Sequence, residues 1–145
     1  MGTVLAFDFG KKRTGVAIGE TTLKQSHPLT VIITSDNSRR LAIIDQLIRE
    51  WRPEHLVVGL PTHADGTSHG MTTEAHAFAN TLKTRFQLPV TETDERLTSR
   101  DAETRLRETG HNARTAKSFI DAVAAQLILQ TWFDIFHDDI PSLPA

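Results

Sequence analysis

The segment VLAFDFGKKRTGVAIGE, residues 4–20, decides the fold because it encodes two strands and the turn that joins them. Residues 3–9, TVLAFDF, are rich in β-branched and aromatic side chains, which predicts a buried strand. Gly10 and Gly15 suit the turn GKKRTG, and residues 15–20 predict the returning strand of a hairpin. Asp8 stands inside the first strand, where a buried carboxylate without a partner would be costly. Asp8 therefore requires a partner.

Beyond the hairpin, hydrophobic periodicity predicts alternating strands and helices. A third strand is expected at 29–34, after a break at His27-Pro28. The next helix is expected to begin at capping residues 36–38 and to end at Arg52-Pro53. The remaining predicted elements are a strand at 55–60, a helix at 71–86, a strand at 89–93, a helix at about 98–110 and a helix at 114–136. This order predicts an α/β fold, in which helices cover a mixed sheet that begins with an antiparallel meander.

Each of three predicted helices carries one apolar stripe that should face the sheet. The stripes are Leu41, Ile44, Leu47, Ile48 and Trp51 in the first helix, Ala75, Phe78, Ala79 and Leu82 in the second, and Ala122, Ala125, Leu129 and Trp132 or Phe133 in the last.

The composition indicates one soluble domain. The 145 residues are 39% hydrophobic and 23% charged, and we expect a single domain at 1–137 followed by a C-terminal tail at 138–145. The chain has no cysteine, which excludes disulfides, thiol nucleophiles and cysteine-built metal sites. No apolar run approaches the roughly 20 residues that span a bilayer, and no signal peptide is evident. We therefore expect a cytoplasmic protein without membrane contact.

Charge is distributed unevenly along the chain. The net charge of −2 argues against a surface coated with basic residues. Residues 96–117 nevertheless hold six basic and three acidic side chains, whereas residues 118–145 hold four aspartates and no lysine or arginine. A basic segment beside carboxylates suits a site that handles phosphodiesters. A solvated helix face followed by an acidic tail explains the same pattern equally well.

Three carboxylates stand where apolar packing is expected. Asp8 lies in the first strand, Glu95 directly follows a strand, and Asp121 lies in the least polar part of the last helix. Each also has an ordinary structural interpretation. Asp8 could accept hydrogen bonds from the glycine-rich turn, Glu95 could pair with a neighbouring arginine, and Asp121 could pair with Lys117 one helical turn away. Spacing alone does not show that the three converge.

Convergence of the three carboxylates would favour a hard divalent cation. Clustered carboxylates raise one another's pKa values unless a counter-charge is present, and Mg²⁺ or Mn²⁺ prefers oxygen ligands. Two such ions together activate a water and stabilise the leaving oxygen of a phosphodiester. Histidines are scattered through the chain without an HExxH or similar spacing, so a histidine-built zinc site is not expected.

Four segments resemble the YqgF family, also called RuvX, in order and spacing. They are FDFGKKRTGVAIG, VVGLPTHADGT, TDERLTS and KSFIDAVAAQLILQ. Members of this family are described as candidate pre-16S rRNA nucleases and as relatives of RuvC-type Holliday junction resolvases. The resemblance spans residues 3 to about 133. It implies an RNase H-like fold, with a five-stranded mixed sheet whose first three strands are antiparallel and whose faces are flanked by helices.

The resemblance also implies roles for particular residues. Asp8, Glu95 and Asp121 match an acidic triad that is catalytic and holds Mg²⁺ or Mn²⁺. The matching positions for substrate contact are Lys12, Arg13 and Arg96, which would meet phosphates, and Asp65 and Thr67, which belong to a loop typical of the family.

The implied activity is hydrolysis of phosphodiester bonds by a two-metal-ion nuclease. Its expected substrate is structured RNA, at the 5′ end of pre-16S rRNA in pre-ribosomal particles during ribosome biogenesis. A Holliday junction resolvase on branched DNA, which should be a two-fold dimer, is an alternative with the same chemistry. A non-catalytic, nucleic-acid-binding assembly factor is another, and the sequence leaves monomer and homodimer open. An actin-like phosphotransferase ranks last because 145 residues leave no room for a duplicated domain.

Overall fold

The structure, a computed structural model, describes residues 2–60, 70–94 and 113–135. Its elements in chain order are β1 (Thr3–Asp8), β2 (Arg13–Glu20), β3 (Gln25–Ile33), α1 (Asn37–Trp51), β4 (His55–Leu60), α2 (Gly70–Phe86), β5 (Val90–Asp94) and α3 (Ala113–Ile135). These elements confirm the predicted order over the described ranges. The helix predicted at about 98–110 and the tail predicted at 138–145 lie outside the described residues.

All five strands form one mixed sheet in the order β3-β2-β1-β4-β5. Strand β2 pairs antiparallel with β1 and β3, whereas β4 runs parallel to β1 and β5 runs parallel to β4. The prediction of a mixed sheet whose first three strands are antiparallel is confirmed. Because β1, β4 and β5 point the same way, their carboxyl ends meet at one edge of the sheet.

Two details of the sequence prediction are wrong. Strand β3 does not begin after His27-Pro28 but runs through it from Gln25, with a register shift opposite it between Val16 and Ala17. Proline is tolerated there because β3 is an edge strand and needs no further N–H donor. Trp51 has the spacing of the α1 stripe, yet it remains 39% exposed because α1 ends there, with Arg52 as its left-handed cap.

Strand alternation divides the core into two layers. Leu5 and Phe7 of β1 face α1 and α2, and they pack with Ile44 and Phe78. The intervening residues Val4 and Ala6 face α3 and pack against its apolar stripe, Ala125, Ile128, Leu129, Trp132 and Phe133. The predicted α2 and α3 stripes are therefore buried as expected. None of the helices in the described ranges combines the length and apolar character that a bilayer crossing requires.

Small residues of β2 let α3 approach the sheet closely. Gly15, Ala17 and Gly19 alternate along the face of β2 that α3 covers, because Ala17 belongs to the α3 core layer. A Cβ at Gly15 would collide with the carbonyl oxygen of Asp121 and lie 2.9 Å from the nitrogen of Ala122. The helix backbone therefore rests directly on β2 at Gly15.

The half-buried His55 should make stability depend on pH. Its ring stacks on Trp132 with centroids 5.0 Å apart, and its Nε2 lies 2.6 Å from Thr91 Oγ1. Burial lowers the pKa of His55. Folding therefore favours the neutral ring of His55. Its contribution to the free energy of unfolding is complete above the ordinary pKa of about 6.5 and is lost as pH falls below that value.

We expect the free energy of unfolding to decrease between pH 7.5 and pH 5, and we expect His55→Gln to reduce that decrease. Urea titrations at both pH values measure the difference. His27→Gln is the matched control, because His27 is exposed on β3. An equal pH dependence in wild type and His55→Gln would show that His55 is not the responsible group.

Candidate active site

Asp8 is the last residue of β1 and lies at the edge where the parallel strands end. Its neighbours across the sheet are glycines on both sides, Gly15 in β2 and Gly59 in β4, and Thr93 of β5 adjoins Gly59. Partners in this register share a face. Asp8 follows Val4 and Ala6 in alternation, so its half-buried side chain belongs to the α3 face.

Asp121 is brought to the same place by α3. Its carbonyl oxygen lies over Gly15, the residue that pairs with Asp8 in the β1–β2 ladder. Its side chain is 28% exposed. The sheet register and the helix contact thus place Asp8 and Asp121 beside each other on one face, although 113 positions separate their numbers in the chain. This juxtaposition is the central geometric feature of the site.

Arg13 supplies the positive charge in this cluster. It begins β2 two residues before Gly15, on the same face, and its Nε donates a hydrogen bond of 2.7 Å to Asp121 Oδ2. The arginine side chain remains 43% exposed. Sequence reasoning selected Arg13 as a phosphate contact and Lys117 as an alternative partner for Asp121. In the structure the partner of Asp121 is Arg13. The Lys117 side chain is not among the side chains that the structure describes.

Arg40 holds the turn that carries these basic residues, and sequence reasoning missed it. Its side chain is buried, with only 3% of its surface exposed. Its Nη2 donates to the carbonyl oxygens of Lys11 and Thr34, at 2.5 and 2.8 Å. Burial lowers the pKa of Arg40, and the nearby Asp36 partly opposes that shift. In sequence Arg40 resembles any polar residue in the first turn of a helix, so no signal distinguished it.

The structure brings together only part of the predicted set. Asp8, Asp121 and Arg13 share one region, and Lys12 is exposed in the adjoining turn. The other predicted site residues lie outside the described residues: Asp65, Thr67, Glu95 and Arg96. Within the described ranges, no group of three or more histidine, cysteine or acidic side chains is placed to hold a metal.

The described residues nevertheless have the chemistry of a divalent cation site. Asp8 and Asp121 both adjoin Gly15 and carry the hard oxygen donors that such a cation prefers, and the glycines beside Asp8 project no side chain over it. Thr93, in the same row, has a buried hydroxyl without a hydrogen-bond partner among the described residues. Asp121 already accepts a cationic partner in Arg13. A hard cation that bound there would meet the same need for positive charge.

Comparisons with known proteins assign the chain to a family. Residues 2–135 match the family described as "RuvX: Holliday junction resolvase". A protein of Dechloromonas aromatica named "Putative pre-16S rRNA nuclease" is 63% identical over 145 residues, which covers 100% of this chain and 99% of the relative. A protein of Thiobacillus denitrificans with the same name is 53% identical over 133 residues and covers 92% of each chain.

Solved structures support the fold. RuvC of Thermus thermophilus is similar with a TM-score of 0.61 at 16% identity, over 94% of this chain and 96% of RuvC. RuvC of the same organism in complex with a Holliday junction substrate gives a TM-score of 0.59 at 14% identity, over 97% of each chain. This likeness confirms the expected RNase H-like fold. Because the family model spans residues 2–135 and these two relatives are more than half identical, the chain belongs to the RuvX family.

Proposed function

We propose that this protein is a metal-dependent nuclease that hydrolyses phosphodiester bonds of structured RNA, at the 5′ end of pre-16S rRNA in cytoplasmic pre-ribosomal particles. One observation supports the proposal most: Gly15 pairs with Asp8 and lies against the backbone of Asp121, so two acidic residues from distant segments adjoin the same glycine. The family match and the names of the close relatives support the choice of reaction and substrate.

Asp8 and Asp121, with Glu95 as third partner, are the residues that would hold Mg²⁺ or Mn²⁺. Glu95 directly follows β5, which ends at the same edge as β1. When bound, such ions lower the pKa of a coordinated water and neutralise the leaving oxygen of the phosphodiester. Asp8 and Asp121 would hold such an ion through side chains that the sheet and α3 anchor. No nucleophilic side chain is required.

Basic residues beside the carboxylates would bind the substrate backbone. Lys12 is exposed in the turn between β1 and β2, and Arg13 projects from the start of β2. Arg96 follows Glu95 in sequence, Asp65 and Thr67 follow β4 in sequence, and we assign these three to substrate binding. Arg13 has two alternative partners in this scheme. It pairs with Asp121 in the structure, and it would contact a substrate phosphate instead if the Asp121 carboxylate held a cation.

Replacing Arg13 with glutamine should therefore have opposite effects on metal and on RNA. An exposed ion pair contributes about 1 kcal/mol at most, so its removal should tighten Mn²⁺ binding by up to about fivefold. RNA binding should weaken because a phosphate contact is lost. Calorimetric titration with Mn²⁺ and fluorescence anisotropy with labelled RNA measure the two effects. Weaker Mn²⁺ binding in Arg13→Gln would contradict this competition.

The Holliday junction resolvase is the second candidate, favoured by the description of the matching family. Precursor 16S rRNA and four-way DNA junctions, incubated in parallel with Mg²⁺ or Mn²⁺, separate the two. We expect cleavage of the RNA and much slower cleavage of the junction. Faster cleavage of the junction by a two-fold dimer would assign the resolvase activity instead. Binding without cleavage of either substrate would support a non-catalytic assembly factor and overturn the nuclease proposal.

A further inference from the structure

A cleft of about 450 Å³ opens beside the candidate active site on the other face of the sheet. It lies between α1 and α2, at the carboxyl end of β1. Phe9 lines it and packs against the α1–α2 core, whereas the preceding Asp8 belongs to the α3 face. Lys11 and Lys12 of the turn also line it. The cleft has the size of small-ligand sites, and Phe9, which lines it, directly follows Asp8 in the chain.

The lining combines apolar surface with a few polar groups. Phe9 and Phe78 lie with ring centroids 4.7 Å apart and planes inclined by 30°, and Ala77 continues this wall. Asn37 and Thr81 add polar groups. An apolar wall beside polar and charged groups suits a flat ligand that has apolar faces and a hydrogen-bonding edge.

Two buried polar atoms of the cleft lack partners among the described residues. Arg40 is 3% exposed, and its Nε has no acceptor although both Nη atoms are hydrogen-bonded. The Glu74 side chain is 41% exposed, yet its Oε2 is shielded and has no donor among the described residues, while Oε1 lies 3.3 Å from Lys11 Nζ. Buried polar groups are normally paired, because an unmade hydrogen bond forfeits the hydration that the group lost on folding. Both atoms therefore leave hydrogen-bonding capacity for a ligand that supplies one acceptor and one donor.

We propose that this cleft binds an unpaired nucleobase of the substrate RNA strand, the strand that the site of Asp8 and Asp121 hydrolyses. We further propose that Glu74 selects a base with an exocyclic amino group. This inference rests on the proposed nuclease function. A nucleobase is flat with apolar faces, and its phosphates would reach Lys11 and Lys12 at the turn. Adenine, cytosine and guanine carry an exocyclic amino donor for Glu74 Oε2, whereas uracil has a carbonyl oxygen where cytosine has its amino group, and a carboxylate repels that oxygen.

Binding of two short fluorescein-labelled RNAs tests the proposal. Oligocytidylate and oligouridylate differ in the amino group, and EDTA prevents cleavage during the measurement. We expect oligocytidylate to bind about tenfold more tightly by fluorescence anisotropy. Glu74→Ala should remove this preference, because the acceptor is lost for both RNAs. Equal affinities of wild type for the two RNAs would overturn the proposed selection.

Filling the cleft provides a separate test. Ala77→Phe should lower the affinity for oligocytidylate to that for oligouridylate, because the new ring occupies the base site. Ala42→Phe is the matched control: Ala42 is exposed on α1 and does not line the cleft, so binding should be unchanged. Wild-type affinity of a folded Ala77→Phe would refute the cleft as the base site. If Ala77→Phe does not fold, the Glu74→Ala comparison decides alone.

Two further experiments are needed. One distinguishes a free nucleotide from the substrate strand as the ligand, and the other distinguishes failure of the base site from failure of the nuclease function. Cytidine monophosphate should compete much more weakly than oligocytidylate, and equal competition would make the ligand a free nucleotide and refute the assignment to the substrate strand. Asp8→Asn should retain the preference for oligocytidylate, because Asp8 lies on the other face. If the protein cleaves RNA but binds oligocytidylate and oligouridylate equally, only the proposed base site is refuted. If it prefers oligocytidylate but cleaves no RNA, only the proposed nuclease function is refuted.

Discussion

Asp8→Asn is expected to reduce the rate of phosphodiester cleavage by roughly a thousandfold or more. The substitution keeps the size of the side chain and removes the charge that would hold a divalent cation at the end of β1. The flanking residues, Gly15 and Gly59, have no side chain that could replace its carboxylate. Single-turnover cleavage of precursor 16S rRNA with Mg²⁺ measures the rate without a contribution from product release.

Asp45→Asn is the control for Asp8→Asn. Asp45 lies on α1, where it pairs with Arg49 at 3.1 Å, and we have assigned it no role in the site. Its replacement should leave the cleavage rate within about twofold of wild type. Thermal unfolding of both variants establishes that each is folded. A folded Asp8→Asn that cleaves as fast as Asp45→Asn would remove Asp8 from the catalytic set.

Gly15→Ala is expected to destabilise the protein by about 3 kcal/mol and to lower its Tm by roughly 5–10 °C. The added methyl group would collide with the backbone of α3 at Asp121 and Ala122. A backbone cannot rotate away as a side chain can, so the helix itself must shift. The same shift separates Asp121 from Asp8, and cleavage should therefore fall even at temperatures where the variant remains folded.

Gly2→Ala is the matched control for Gly15→Ala. A Cβ at Gly2 also meets close atoms, but they belong to the exposed side chain of Glu54, which can move. This substitution should change the free energy of unfolding by less than about 0.5 kcal/mol. Urea unfolding measures both variants. If Gly15→Ala proved as stable and as active as Gly2→Ala, the close seating of α3 on β2 would not position the site.

Local patterns predicted most of the fold. Alternation in β1, the helical stripes of α2 and α3 and the capping residues before α1 all lie within short segments, and the structure confirms them. The start of β3 and the burial of Trp51 were predicted wrongly. Both depend on position in the finished molecule, because proline is tolerated only at a sheet edge and a helix end exposes its last side chain.

The site was less accessible to sequence reasoning because it depends on contacts between distant segments. The sequence pointed to Asp8 and Asp121 as unusual. Spacing could not show that Gly15, the partner of Asp8 in the sheet, contacts the backbone of Asp121. It also could not identify Arg13 as the partner of Asp121, since an arginine in a turn usually remains solvated. Arg40 is the clearest omission. Its importance comes from its contacts with Lys11 and Thr34, which only the folded chain brings to it.

A shared cation site is tested most directly by Mn²⁺ binding, measured by electron paramagnetic resonance on wild type, Asp8→Asn, Glu95→Gln and Asp121→Asn. Wild type is expected to bind Mn²⁺, and each folded variant should bind it at least about tenfold more weakly, because the three carboxylates would share one cation site. Mn²⁺ binding by Asp8→Asn and Asp121→Asn that equals wild type would contradict the shared site on which the proposed nuclease depends.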